Sequence, residues 1–355
     1  MTGAHSPLSD LPKVRLPNGE EQVQRITYLA EIRNQLLRPL DPAHAASNDT
    51  EGFRSASHAH FDRILFLNDV YFNPADALQL LFSTNGGDYR AACAVDFTRG
   101  PLFYDTFATR DYDGYRIDQP LYPWFAPAGS AISREDVQAQ KDAVRVRSCW
   151  GGMAAFEASI FRPTPGSESH CRPETSCLPL QFRGSNEPFW EASECCLIFA
   201  DIEEQHGQSD RVFINPYVRV AYTKGNFDLI PFFRRFERFF EHIQYLQTKI
   251  YYSNVNPRRS HVPGEWVDDV VWQDRLVATS ASGGFEESKI NISTTEKNAG
   301  LRGWSTVRRR ASTGGFCGER TMFVMKGDLE EINENIREEG RNWDLIPVPR
   351  VGIGR

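Results

Sequence analysis

The chain has 355 residues, enough for one large domain or two closely packed ones with a sizeable core. Forty per cent of residues are hydrophobic and 12% are aromatic, which excludes wholesale disorder. A net charge of −7 excludes nucleic-acid binding through overall charge, and no apolar run is long enough to cross a bilayer.

Residues 1–20 are polar and without period, and read as a loose segment. The opening "MTGAHSPLSDLPK" lacks the apolar core of a signal peptide. Val23, Ile26, Ala30 and Leu37 then recur at helical spacing, widened by Leu29, Ile32 and Leu36, until Pro39 stops the helix. Residues 41–60 form a polar loop. Its His44, His58 and His60 have no carboxylate framework, so an exposed loop is favoured over a metal site.

Arg63 to Leu67 reads as a central strand, and Asn68-Asp69 stands at its end. Pro74 to Phe82 reads as a helix with Ala77, Leu78, Leu81 and Phe82 buried, ended by Gly86-Gly87. Tyr89 to Phe97 is a second apolar strand, with Asp96 near its end. Residues 144–161 run from β alternation into the Gly151-Gly152 break. Residues 186–201 read as a helix capped by Asn186, with Glu187, Glu191 and Glu194 spaced along it. Residues 211–222 are again strand-like. Strands alternating with helices predict an α/β domain over 21–275.

Residues 226–252 read as one long aromatic helix. Phe232, Phe233, Phe236, Phe239, Phe240, Ile243 and Leu246 share a broad face, and Arg234, Arg235 and Arg238 lie elsewhere. Such a helix could lie on a membrane surface. Packing against the sheet is the favoured reading, because a domain of this size needs covering helices. Residues 276–355 are rich in Ser, Thr, Gly and charge, and read as loosely ordered. "VRRRAST" (307–313) reads as a solvated turn.

Seven cysteines are too few for a disulfide scaffold. Cys93, Cys149, Cys195 and Cys196 lie in apolar segments and read as small buried hydrophobes. Cys171 and Cys177, in a polar loop, could close a disulfide in an oxidising compartment. Asn48 and Asn291 open glycosylation triplets that arise often by chance.

The chemistry-bearing residues gather where strands and helices end. Asp69 after a strand would point into the ligand crevice of an open α/β sheet. A hard divalent ion, Mn²⁺ or Mg²⁺, needs only one or two protein oxygens when substrate phosphates complete its shell. The competing reading of Asn68-Asp69 is a turn. Asp96 and the segment "FYDTFATRDYDG" (103–114) supply Asp105, Arg110 and Asp111 among tyrosines. Carboxylates accept sugar hydroxyl protons, and aromatic faces cover the ring. The competing reading is a hydrated loop. Trp150 beside Gly151 and Gly152 would let a ligand approach the backbone, or mark a bulge. Glu194 in "ASECCLIF" is a carboxylate in apolar surroundings, costly unless partnered or functional.

Together, "FLNDVYF", "DYRAACAVDF", "FYDTFATRD", "VRSCWGGMAAF", "SECCL" and "INPYVRVAY" resemble the fungal capsule-associated α-1,3-mannosyltransferases, in that order along the chain. The resemblance runs from about residue 28 to 222. It implies a GT-A-like glycosyltransferase with a Rossmann-type mixed sheet flanked by helices. Such an enzyme takes mannose from GDP-mannose with a divalent cation and passes it to a glycan hydroxyl, in the Golgi or another secretory lumen. By the same resemblance Asp69 binds the metal with Asn68 beside it. Arg33 and Asn34 lie near the donor nucleotide. Asp96, Asp105, Arg110, Trp150, Gly151 and Gly152 line the sugar and acceptor site. Glu194 faces the acceptor and orients it. The strand and helix that open a GT-A domain are not matched by the unpatterned residues before Val23. The expectation is therefore an N-terminally incomplete domain. A non-catalytic glycan-binding relative is the alternative, and a hydrolase ranks last because no carboxylate pair is set by spacing.

Overall fold

The computed structural model describes residues 8–40, 61–117, 119–162, 179–207, 211–251, 261, 263–274, 302–326 and 342–350. Strands β1 (Lys13–Arg15) and β2 (Glu21–Val23) form a hairpin before helix α1 (Arg25–Leu37). Strand β3 (Arg63–Leu67) leads into helix α2 (Pro74–Phe82), followed by β4 (Ala91–Arg99), β5 (Leu102–Phe103) and β6 (Arg110–Asp111). Helix α3 (Ile132–Gln138) precedes β7 (Val144–Ser148) and β8 (Met153–Glu157). Then come β9 (Glu191–Ala192), α4 (Glu194–His206), β10 (Val212–Ala221), α5 (Lys224–Arg234) and α6 (Glu237–Tyr251). Strands β11 (Trp266–Asp274) and β12 (Arg302–Arg310) form an antiparallel ribbon. The last elements are β13 (Gly318–Glu319), β14 (Phe323–Met325) and β15 (Trp343–Leu345).

The central sheet has seven strands in the order β3-β8-β4-β10-β7-β6, with β5 paired to β4. β4 and β10 are parallel. β8 runs antiparallel to both β3 and β4. Hence β3, β4 and β10 point the same way, and their carboxyl ends share one side of the sheet. That is the side on which open α/β sheets hold ligands. Along β4, Ala91, Cys93, Val95 and Phe97 face one core with α4, while Ala92 and Ala94 face a second core with α2. The alternation is the two-residue period of a strand buried on both faces.

The α/β class holds, and several local expectations do not. β3 is an edge strand of the sheet rather than a central one, because it pairs with β8 alone. Helix α2 buries Ala77 and Leu80 and packs Leu81, but leaves Leu78 58% and Phe82 63% exposed. Its apolar stripe is wider than the sheet surface beneath it. The helix expected over 186–201 starts at Glu194, because Ser193, not Asn186, caps it by accepting a hydrogen bond from Cys195 N. The aromatic helix is two helices, α5 and α6, parted at Arg235–Phe236.

Described residues near both ends form structure of their own. Leu8, Leu11, Val23 and Met325 form a small core, and Gln24 bridges to Val324. Residues 302–310, including Val307–Arg310 of the expected turn, are a paired strand. Phe316 and Cys317 are buried in the main core. Among the described residues two disulfides tie the fold, Cys93–Cys149 and Cys196–Cys317, so three of the four cysteines read as buried hydrophobes are cross-linked. Their partners lie 56 and 121 residues away, separations that sequence spacing does not reveal. Cys195 is the free buried cysteine among the described residues. Cys171, Cys177, the two glycosylation triplets and His44, His58 and His60 lie outside the described residues.

The Cys196–Cys317 link closes a long loop, which predicts a large stabilisation. The double substitution Cys196→Ala, Cys317→Ala should lower the unfolding free energy by about 4 kcal/mol in a guanidinium titration without reductant. Stability equal to the parent would show that the packing of Phe316 holds this segment without the bridge.

Candidate active site

The site begins with a crossover. After β7 the chain passes over β10 and β4 to start β8, and residues Cys149 to Gly152 make that passage. Cys149 is linked to Cys93 on β4. A Cβ added to Gly151 would sit 2.0 Å from the Ala94 carbonyl oxygen, and one added to Gly152 would sit 2.8 Å from Val70. Both glycines have positive φ, 58° and 68°. Only residues without a side chain fit this close passage in that conformation.

The crossover fixes what surrounds it. Gly152 O accepts from Asn68 N at 3.0 Å, and the Asn68 side-chain oxygen lies 3.4 Å from Trp150 Nε1. Val70 N donates to Asn68 O at 2.9 Å, which folds a tight turn around Asp69. The Asp69 side chain is exposed and has no hydrogen-bond or ion-pair partner among the described residues. Gly151 N donates to one oxygen of Asp105 at 3.2 Å, and Ala108 N donates to the other at 3.0 Å.

Asp96 lies behind this layer, fully buried. One of its oxygens accepts from Asp105 N at 3.0 Å and the other from the Tyr222 hydroxyl at 3.1 Å. Burial, and then the Asp105 charge, push the Asp96 pKa up to about 7. Burial also raises Asp105, against the hydrogen bonds from Ala108 and Gly151. Tyr222 is raised by burial and by Asp96. Its ring meets that of Tyr104 edge-on at 4.8 Å, and Tyr104 is 51% exposed.

On the other side of Trp150 stands an ion pair. Arg33 Nε donates to Glu194 Oε1 at 3.0 Å, and the guanidinium lies 4.2 Å over the Trp150 ring. Burial works to lower the Arg33 pKa, but Cys195 and Glu194 outweigh it and hold the group above its ordinary value. Glu194 opens α4, where the helix dipole favours a carboxylate. Burial, together with Glu194, raises the Cys195 thiol well above its ordinary range.

The structure thus gathers Asn68, Asp69, Asp96, Asp105, Trp150, Gly151 and Gly152 at the strand ends, and joins Arg33 and Glu194 to them through Trp150. Two expected site residues are occupied elsewhere. Asn34 spends both ends of its amide on the backbone of Phe182, each at 2.8 Å. Arg110 is 2% exposed and donates to the carbonyls of Phe107, Thr109, Phe316 and Cys317. Burial lowers its pKa to about 10. Arg110 therefore pins the 316–317 segment and is not presented to a ligand. Tyr104 and Tyr222 were missing from the sequence-based set. Their signal was position, one before Asp105 and one just past a strand, and aromatic residues there read equally as packing. Glu191, expected within the helix over 186–201, lies instead in the short strand β9. It is buried, with Oε1 lacking a hydrogen-bond partner and Oε2 accepting from Phe323 N, and burial raises its pKa to about 7.

Residues 2–201 match the family described as cryptococcal mannosyltransferase 1, over more than half of the chain. The chain belongs to that family. Its strand-end residues from Arg33 to Glu194 all fall within the matched span. A curated relative, alpha-1,3-mannosyltransferase CMT1 of Cryptococcus neoformans var. neoformans serotype D, is 24% identical over 224 residues. That alignment covers 59% of this chain and 43% of the relative, so the chain spans under half of the relative's length. No solved structure matches the chain.

The raised carboxyls predict a pH dependence of stability. Asp96 and Glu191 prefer the protonated form when folded, so the stability they contribute is complete below about pH 4 and is lost as the pH rises through about 7. Thermal melts should therefore show a fall in Tm between pH 5 and pH 8, and Asp96→Asn should reduce that fall. An unchanged pH profile in the variant would show that Asp96 is ionised in the folded protein across this range.

Proposed function

We propose that this chain transfers mannose from GDP-mannose to a glycan hydroxyl, using the strand-end site around Asp69 on a GT-A-like framework. The observation that carries the proposal is the uncommitted, exposed Asp69 carboxylate, held in a tight turn against the Trp150–Gly151–Gly152 crossover at the carboxyl ends of β3, β4 and β10. Family membership supports the reaction class.

Asp69 suits a divalent cation, Mn²⁺ or Mg²⁺, by the chemistry of its donor: a hard oxygen that no other described residue occupies. Among the described residues no group of three or more His, Cys, Asp or Glu could hold a metal, so donor phosphates and water would complete the shell. When bound, the cation would supply charge neutralisation to the departing diphosphate. In the transfer, the bond from the mannose anomeric carbon to the diphosphate breaks. A bond to the acceptor oxygen forms on the same face, and the acceptor proton passes to the departing diphosphate.

The other residues divide the remaining work. Tyr104 presents an exposed ring that can cover the C–H face of a sugar. Asp96 and Asp105 hold the 104–108 loop and the crossover in register through their backbone hydrogen bonds. Arg33 fixes the Trp150 indole and neutralises Glu194. In this arrangement Glu194 orients, because its charge is already paired. The polysaccharide product and the secretory location are extensions of the same reading, supported by family resemblance alone.

Asp69→Asn keeps the turn but removes the charge. Turnover of GDP-mannose should fall on the order of hundredfold or more, while the thermal melt stays within about a degree. Calorimetric titration of the parent with GDP and Mn²⁺ should release heat, and the variant should lose the Mn²⁺ dependence of that heat. Parent-like turnover in the variant would remove Asp69 from the mechanism. Absence of GDP binding by the folded parent would remove the transferase reading. Binding without transfer would leave a glycan-binding relative.

A further inference from the structure

The α5–α6 pair covers the sheet with only part of its apolar surface. Ile230 is buried, and Phe227 and Phe240 pack against the main core. Polar side chains on the inward side of α6 are fixed by partners. Glu237 pairs with Arg219 at 2.5 Å, Gln244 donates to Leu121 O at 3.0 Å, and Gln244 accepts from Arg134 at 2.6 Å. These fixed partners set the rotation of α6. They turn Phe239 and Leu246, which were expected to face the sheet, outward.

The outward side is apolar and basic together. Phe232 is 53% exposed, Phe236 43%, Phe239 60% and Leu246 55%. Phe239, His242 and Leu246 fall at i, i+3 and i+7, which is one stripe of α6. Arg238 and Tyr245, both exposed, form the adjoining stripe. Arg234 and Arg235 are exposed at the bend between the helices. Of the nearby acids, Glu237 is bound to Arg219, Asp228 pairs with Lys224, and Glu241 lies in the field of Arg134 and accepts from Gln138. Arg234 stands over the Tyr217 ring with Asp76 close by, which leaves Arg235 and Arg238 as the arginines that the face presents. Arg235 and Arg238 form no ion pair among the described residues.

Phenylalanines clustered in water are costly, and uncompensated arginines beside them select what can cover them. A neutral apolar partner would leave the arginines unanswered. A surface carrying negative headgroups over an acyl layer satisfies both, with phenylalanines inserted at the boundary and guanidinium groups reaching the phosphates. No helix among the described residues is long and apolar enough to cross a membrane, so this face would lie on a bilayer rather than span it. We infer that the outward face of α5–α6 is a docking surface for an anionic lipid bilayer.

Flotation with lipid vesicles tests this on the full chain. The protein should float with vesicles of phosphatidylcholine and phosphatidylserine and stay behind with phosphatidylcholine alone. Arg235→Glu and Arg238→Glu should each weaken binding about fivefold, and Phe239→Asp should abolish it. The arginine variants keep the test open if Phe239→Asp fails to fold, because both side chains are exposed and unpaired. Equal flotation with both vesicle types, or none with either, would overturn the inference. So would a parent that sediments as a dimer and becomes a monomer on Arg238→Glu, since a second copy would then cover the face.

Discussion

A chain crossing a β-sheet at backbone contact needs residues without side chains, and the rest of this site depends on that constraint being met at Gly151 and Gly152. The Ala94 carbonyl leaves no room for a Cβ above it. Because the passage is that close, Gly152 can bond Asn68, Gly151 can bond Asp105, and the Trp150 ring can lie under Arg33. Three segments distant in sequence thereby share one hydrogen-bonded layer. The Cys93–Cys149 disulfide holds the start of the passage against the strand it crosses.

The site is unusual in how much charge it buries and how little of that charge it presents. Asp96, Asp105, Glu194 and Arg33 are consumed by one another, by backbone amides or by the indole face. An isolated buried carboxylate is strongly disfavoured, so these groups hold either a proton or a partner. Asp69 differs in being exposed and without a described partner. A framework of satisfied buried acids with a single unsatisfied acid at its rim suits a ligand that brings its own charge, such as a diphosphate with a cation. Rigidity behind the rim keeps the presented oxygen in place.

The C-terminal segment is part of this framework although it lies beyond the family match at residue 201. Arg110 grips the Phe316 and Cys317 carbonyls, Cys317 is linked to Cys196 beside Glu194, and Phe323 N serves Glu191. The α5–α6 pair also lies beyond that match. It supplies a face whose chemistry answers to something outside the domain.

The sequence by itself determined the α/β class, strands β3, β4, β7 and β10, and the chemical character of the site. Short β-branched and aromatic runs, and an acid or a Gly-Gly pair at a strand end, are local patterns that period and composition report. It also placed Asp69, Trp150, Gly151 and Glu194 near one another through the order of motifs in a resembling family. Only the tertiary structure decided the edge position of β3, the two long-range disulfides, the outward rotation of α6, and the retirement of Asn34 and Arg110 to backbone duty. Each of those depends on partners far away in the chain. Arg110 answers to residues 206 and 207 positions on, and α6 is turned by Arg219 and Leu121. A side chain's own neighbours in sequence carry no record of such partners, so its type was legible and its employment was not.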